Sequence, residues 1–183
     1  MRLIHAFSFL SLSFVAISLL PGCGNSAAKE KTQSSLTEAY QCIPCGYDCD
    51  TTIYYAAGDC PHCSMTLVKK SSIHFNNVPV TEVCQYINEH PGIILLDVRT
   101  AEEFEGKANP DFGSLKNAIN VPVQELENKL AALAPYKQKE ILVYCSHSHR
   151  SPRASYILTQ NGFTNVVNMS GGMSVLKDNT CKK

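Results

Sequence analysis

Apolar residues in this chain fall into short unbroken runs separated by stripes at helical spacing. Ile93 to Leu96 and Ile141 to Tyr144 are continuous apolar runs, the pattern of strands buried on both faces of a parallel sheet. Shorter strands are predicted at Ala118 to Val121 and near Asn165 to Asn168. Val83, Tyr86 and Ile87 mark one helix behind a cap-like Thr81-Glu82, ended by His90-Pro91-Gly92. Leu126, Leu130 and Leu133 place an apolar stripe on a second helix within Gln124 to Ala134, stopped by Pro135. A third helix runs from about Pro152 to Gln160 and ends at Asn161-Gly162. Strands alternating with helices predict an α/β fold with a parallel sheet and ligands beyond the carboxyl ends of its strands.

One junction carries candidate chemistry. The run Ile141-Leu142-Val143-Tyr144 delivers Cys145 to a strand end, the polar residues Ser146, His147, Ser148 and His149 follow, and Arg150-Ser151-Pro152 opens a helix. Backbone N–H groups and the helix dipole at such a junction favour a thiolate at Cys145 over the thiol, and Arg150 adds a full charge. Cys145 is then a nucleophile in a loop that can also hold an anion, Ser146 to Ser151 supplying the N–H groups. The plainer alternative is a buried, inert strand cysteine. His147 and His149 either tune the thiolate below about pH 6.5, sit as solvated loop residues, or join Cys145 in a soft-metal site.

The Cys145 to Arg150 segment resembles the C-x-x-x-x-R active-site loop of the rhodanese (sulfurtransferase) family, and other stretches agree with it in order. Leu95-Leu96-Asp97-Val98-Arg99-Thr100-Ala101-Glu102-Glu103-Phe104 is similar to that family's L-[IL]-D-V-R-x-x-x-E-[FY] motif. Gly113-Ser114-Leu115-Lys116-Asn117-Ala118-Ile119-Asn120-Val121-Pro122 resembles its G-H-I-x-G-A-[IV]-N-[IV]-P motif, and Gly162-Phe163-Thr164-Asn165-Val166 with Gly171-Gly172-Met173 its closing motifs. The resemblance spans about Pro79 to Leu176. It implies a three-layer α/β domain and a persulfide on Cys145, with no cofactor for sulfur transfer, a small anionic sulfur donor and a thiol acceptor. Four residues stand between Cys145 and Arg150; the related phosphatases and arsenate reductases have five. Asp97 and Arg99 resemble the family's structural and substrate-side pair, a buried ion pair being the alternative. Ser148 stands where the family carries glycine, which reduces access to left-handed backbone angles.

Tyr40 to Lys70 is a second, cysteine-dense stretch. Cys42/Cys45 and Cys60/Cys63 form two C-x-x-C pairs, spaced as two turns that offer four thiolates to one tetrahedral zinc. Cys60-Pro61-His62-Cys63-Ser64-Met65-Thr66-Leu67 resembles the end of the small heavy-metal-binding domain attached to metal transporters. Copper, with His62 or Met65 contributing, is the softer option. Structural disulfides are the competing reading, and Cys49 is a fifth ligand or a redox partner. Cys84 is expected in the core. Cys181 is expected either as an exposed terminal residue or as a thiol that resolves the Cys145 persulfide.

Arg2 and the apolar run Ala6 to Leu20 read as a secretory signal whose core is short for a membrane span. Leu20-Pro21-Gly22-Cys23 resembles the bacterial lipobox, which implies lipidation at Cys23 and an envelope lipoprotein anchored by acyl chains worth ~0.8 kcal/mol per buried methylene. The expected organisation is a signal peptide over 1–22, a tether over 23–38, a cysteine-rich metal-binding-type module over 39–70 and the rhodanese-like domain over 78–183. The chain has 183 residues and zero formal net charge, which offers no basic face for nucleic acid. Three functions remain open: a persulfide sulfurtransferase, a non-catalytic metal-handling or binding lipoprotein, and a thiol redox enzyme.

Overall fold

A computed structural model describes residues 38–183. In chain order its elements are β1 (Tyr40–Gln41), β2 (Val68–Lys69), β3 (Asn76–Pro79), α1 (Val83–Glu89), β4 (Ile94–Asp97), α2 (Ala101–Phe104), β5 (Ile119–Asn120), α3 (Leu126–Leu133), β6 (Glu140–Tyr144), α4 (Arg150–Gln160) and β7 (Asn165–Ser170). Five strands form one sheet in the order β3-β7-β6-β4-β5, every neighbouring pair parallel. The strand β6 therefore lies at its centre.

Alternation along β6 sorts the core into two layers, because successive side chains of a strand point to opposite faces. Ile141, Val143 and Cys145 join Leu126 and Leu133 of α3 and Ala154 and Leu158 of α4 on one face. Leu142 and Tyr144 join Val83 and Cys84 of α1, Leu115, Met169 and Leu176 on the other. This is the three-layer α/β architecture expected of the second module. The edge strand β3, unpredicted from the sequence, carries Pro79 at its end, and an edge is where a strand tolerates the missing donor.

Element ends shift by a residue or two. The helix α4 begins at Arg150 rather than near Pro152, since proline is tolerated anywhere in a first turn whose N–H groups have no intrahelical partner. Cys84 is buried as expected, but it is bonded to Cys181 across 97 residues of chain. Cys181 is therefore neither an exposed terminal thiol nor free to resolve a persulfide. Closing a loop of that length stabilises the fold by about 4–5 kcal/mol in the chain-entropy account.

The cysteine-rich stretch is not a separate bead. Strands β1 and β2 pair antiparallel, and Ile43 and Phe75 enter the same apolar cluster as α3 and α4. Ser72 is bonded to the Tyr156 hydroxyl at 3.0 Å, and its carbonyl accepts from Gln160 Nε2 at 2.8 Å. Residues 38–183 fall within one compact unit. Cys23 and the signal-like run lie outside the described residues. Among the described residues no helix is long and apolar enough to cross a membrane.

Candidate active site

The central strand β6 ends at Tyr144, so Cys145 emerges at its carboxyl end and the chain turns through Ser146 to His149 into α4. A second segment fixes this loop: Met173 N–H donates to the Cys145 carbonyl at 2.9 Å and Ser174 N–H to the Ser146 carbonyl at 3.0 Å. Gly172 makes that approach feasible, for it has a φ of +79° and any Cβ there would run into the Ser146 carbonyl. Among the described residues, the N–H groups of His147, Ser148 and His149 donate to no protein acceptor. They are free to bind an anion.

The Cys145 side chain lies inside this loop, the residue only 1% exposed, with Sγ donating to Ser151 Oγ at 3.4 Å. Arg150 does not reach into open solvent. Its guanidinium makes two bonds to Glu103, at 2.6 and 2.8 Å, and a third to Ser146 Oγ at 2.5 Å. Glu103 also accepts from Thr100 N–H and, through its own N–H, donates to Thr100 Oγ1, the reciprocal cap that starts α2. Bonding to Arg150, opposed by burial and helped by the Thr100 N–H, holds the Glu103 carboxyl down to about 2. The same contact raises the Arg150 pKa. Arg150 is thus a strut that ties the loop to α2, and its charge is largely neutralised before any donor arrives.

Asp97 and Arg99 lie behind the Arg150–Glu103 pair, near enough for their charges to act on it. Both are fully buried, and the Arg99 Nη2 to Asp97 Oδ2 contact of 2.6 Å is flanked by a bond from the same nitrogen to the Gly113 carbonyl. This is the buried ion pair that the sequence offered as the alternative to a substrate-side role, and it braces the end of β4 from within the core. His147 and His149 are exposed, His147 at the edge of Phe112 and His149 beside Tyr47. Neither groups with Cys145 as a metal-ligand set.

Ser148 behaves unlike any sequence expectation. It takes the left-handed conformation that glycine would have taken, with φ +59°, and its hydroxyl donates to the Cys45 carbonyl at 2.6 Å. The strain of a non-glycine residue there is offset by a bond to the cysteine-rich stretch. Gly46, at φ +89°, lies so close to Ser170 that a Cβ would be 2.7 Å from the serine Cβ. The segment Cys45 to Tyr47 therefore rests against both the loop and the end of β7.

The four sulfurs that gather within 4.8 Å of one another belong to Cys42, Cys49, Cys60 and Cys63. Cys49 takes the place expected of Cys45, because the short turn over Asp48–Thr51 points Cys49 inward while Cys45 faces Asp50. All four are free thiols, as are Cys45 and Cys145. Burial pushes the Cys42 and Cys45 thiols well up. Burial also opposes ionisation of Cys60, yet the N–H groups of Cys63 and His62 outweigh it and hold that thiol at about 7. His62 stands outside the tetrad, and Met65 packs against the cysteine cluster. A groove of about 340 Å³ between this stretch, α3 and α4 runs up to the loop at His149 and Arg150, lined also by Met65, Glu127 and Arg153.

Glu103 is the participant that the sequence reading left without a role, and Cys49 was read only as a fifth ligand or a redox partner beside the two C-x-x-C pairs. Glu103 was visible as the acidic residue of the Asp97-Val98-Arg99 motif, and a buried loop arginine demands such a partner. Cys49 carried only the signal of being an odd fifth cysteine.

Comparison with known proteins agrees with this geometry. The Rhodanese-like domain profile matches residues 80–179. Thiosulfate sulfurtransferase PspE of Escherichia coli is 32% identical over 76 residues, 42% of this chain and 67% of that protein. A putative mitochondrial thiosulfate sulfurtransferase of Schizosaccharomyces pombe is 30% identical over 113 residues, 59% of this chain and 79% of its own. A tRNA uridine(34) hydroxylase of Photorhabdus laumondii is 32% identical over 89 residues, 46% of this chain but 24% of its own length. A rhodanese-related protein of Thermoplasma volcanium aligns in three dimensions at TM-score 0.46 and 30% identity, covering 55% of this chain and 89% of that one. With the profile spanning more than half of the chain, this protein belongs to the rhodanese-like domain family.

Proposed function

We propose that this chain is a sulfurtransferase that carries sulfane sulfur as a persulfide on Cys145. The observation that carries the reading is the Cys145 to Arg150 loop at the end of the central strand, with three uncommitted N–H groups arranged to hold an anion. The Cys145 thiolate attacks the outer sulfur of a thiosulfate-like donor. The donor's S–S bond breaks, sulfite leaves with the electron pair, and Cys145–S–S⁻ forms, its terminal charge facing the N–H groups of His147 to His149. A thiolate or cyanide acceptor, approaching along the groove beside His149 and Arg150, attacks the terminal sulfur. It leaves as a persulfide or thiocyanate, and the Cys145 thiolate is restored.

The cysteine-rich stretch is read as a metal site. Four sulfurs within 4.8 Å of one another suit a tetrahedral thiolate-bound ion, zinc by preference and copper as the softer alternative. Bound there, the ion would supply a structural clamp; Cys42, Cys49, Cys60 and Cys63 are the residues that would hold it. The Cys84–Cys181 disulfide supports an oxidising compartment, in keeping with a lipoprotein anchored through Cys23 in a cell envelope.

Cyanolysis tests the reading. Wild type is expected to release thiocyanate from thiosulfate and Cys145→Ser to release none above the uncatalysed rate; equal rates overturn it. The burial of Cys145 favours a second reading, a non-catalytic metal-handling protein, which predicts the same low rate for both proteins together with retained metal.

A further inference from the structure

We infer that the cysteine-rich stretch binds two zinc-class divalent cations that share the thiolates of Cys42 and Cys49. This deepens the metal reading above and rests on it. Two quartets of donor atoms each lie within 4.8 Å of one another: Cys42, Cys49, Cys60 and Cys63, and Cys42, Cys45, Cys49 and Asp50. They overlap in Cys42 and Cys49. Six side chains with two held in common fill two four-coordinate shells without a ligand left over.

Distances agree with that arrangement. Sulfurs bound tetrahedrally to one zinc at about 2.3 Å stand roughly 3.8 Å apart. Cys42 and Cys63 are 3.2 Å apart and Cys49 and Cys63 are 4.0 Å apart. On the second side, Cys45 Sγ lies 3.4 Å from Asp50 Oδ1 and donates its proton there. An ion seated between them displaces that proton and takes the thiolate and the carboxylate as ligands. Backbone N–H groups already aim the carboxylate, Cys45 N–H to both of its oxygens and Gly46 N–H to Oδ2 at 2.7 Å. That is the outer support a metal-bound carboxylate needs, and Oδ1, once the Cys45 proton is displaced, keeps a lone pair for an ion.

Charge points the same way. Five thiolates and one carboxylate carry six negative charges in a cluster whose cysteines, Cys63 apart, are buried. One divalent ion offsets two of these charges and two ions offset four. Unpaired buried charge is costly, so the second ion adds to the stability of the assembled ligand set. The second ion would also sit next to the persulfide loop, since the carbonyl of its ligand Cys45 accepts the Ser148 hydroxyl.

The test is a count. Full chain, purified with reductant and stripped of metal, is titrated with cadmium and weighed by native mass spectrometry, and isotopically enriched cadmium is followed by NMR. Two ions per wild-type chain are expected, with mutually coupled cadmium resonances from the shared thiolates. Asp50→Asn, which keeps the oxygen that accepts the N–H groups, and Cys45→Ser are each expected to hold one. A wild-type count of one overturns the two-ion cluster and leaves the single tetrad standing, whereas a count of zero overturns the metal reading itself. Two ions with uncoupled resonances, or an unchanged count in both variants, place the second ion elsewhere and overturn the shared-thiolate assignment.

Discussion

The loop at the end of β6 and the cysteine cluster both present sulfur, and they are assembled in opposite ways. The loop holds one sulfur within short chain distance of its partners: Cys145 meets Ser151 six residues on, and Arg150 meets Ser146 four residues back. The cluster gathers sulfurs from far apart, Cys42 lying beside Cys63 across 21 residues. A lone thiolate needs a seat of N–H dipoles, which a strand, a tight loop and a helix start provide locally. Several thiols in one buried place resist ionisation, and burial first, with the neighbouring sulfurs after it, pushes Cys42 and Cys45 well up. The two regions meet at one hydrogen bond, from Ser148 to the Cys45 carbonyl.

If the loop stands by its own strut, removing that strut should have the largest effect. Glu103→Ala leaves the Arg150 charge unpaired and removes the side-chain half of the capping box that starts α2, and is expected to cost about 4 kcal/mol of stability. Thermal or denaturant unfolding against wild type would show it. Acid should act on the same strut more gently. Glu103 sits at about 2 in the folded chain against an ordinary 4.5, so its contribution is complete above about pH 4.5 and is lost as pH falls towards 2. That amounts to on the order of 3 kcal/mol in linkage terms. An unfolding series between pH 5 and 2 should lose this slope in Glu103→Gln.

The joint between the regions predicts smaller effects. Gly46→Ala puts a Cβ 2.7 Å from Ser170 at a φ of +89° and is expected to destabilise by about 2 kcal/mol. It should also speed alkylation of Cys145 by iodoacetamide, because the segment resting on the loop is displaced; an unchanged alkylation rate would show the two regions to be uncoupled. Smallest is the pair at Ser148. Ser148→Ala keeps the strained left-handed residue but loses its bond and should cost about 1 kcal/mol. Ser148→Gly loses the bond and the strain together and should be close to neutral. If the alanine variant is as stable as the wild type, the Cys45 contact contributes nothing.

Legibility followed chain distance. The runs Ile93 to Leu96 and Ile141 to Tyr144 announced their strands because burial on both faces leaves an unbroken apolar signature. Strand β3 gave no such signal: Asn76-Asn77-Val78-Pro79 buries only Val78, and an edge strand is paired on one side and polar elsewhere. At the site, Cys145 and Arg150 were legible from their spacing. The engagement of Arg150 by Glu103, 47 residues away, was not, and it is what makes the arginine a support for the loop.

What the sequence determined by itself was local: a cysteine at a strand end, a loop of anion-binding size, a helix start, and enough thiols near residues 42–63 to imply a cluster. These follow from periodicity, turn chemistry and spacing, which act within a few residues. Only the tertiary structure decided that Cys49 rather than Cys45 completes the sulfur tetrad, that Cys84 bonds Cys181, that Asp97 and Arg99 are a core brace, and that Ser148 leans on the Cys45 carbonyl. Each of these depends on which distant side chains share a small desolvated space. Packing sets that, because a buried charge, thiol or hydroxyl must find its partner wherever the chain has brought one.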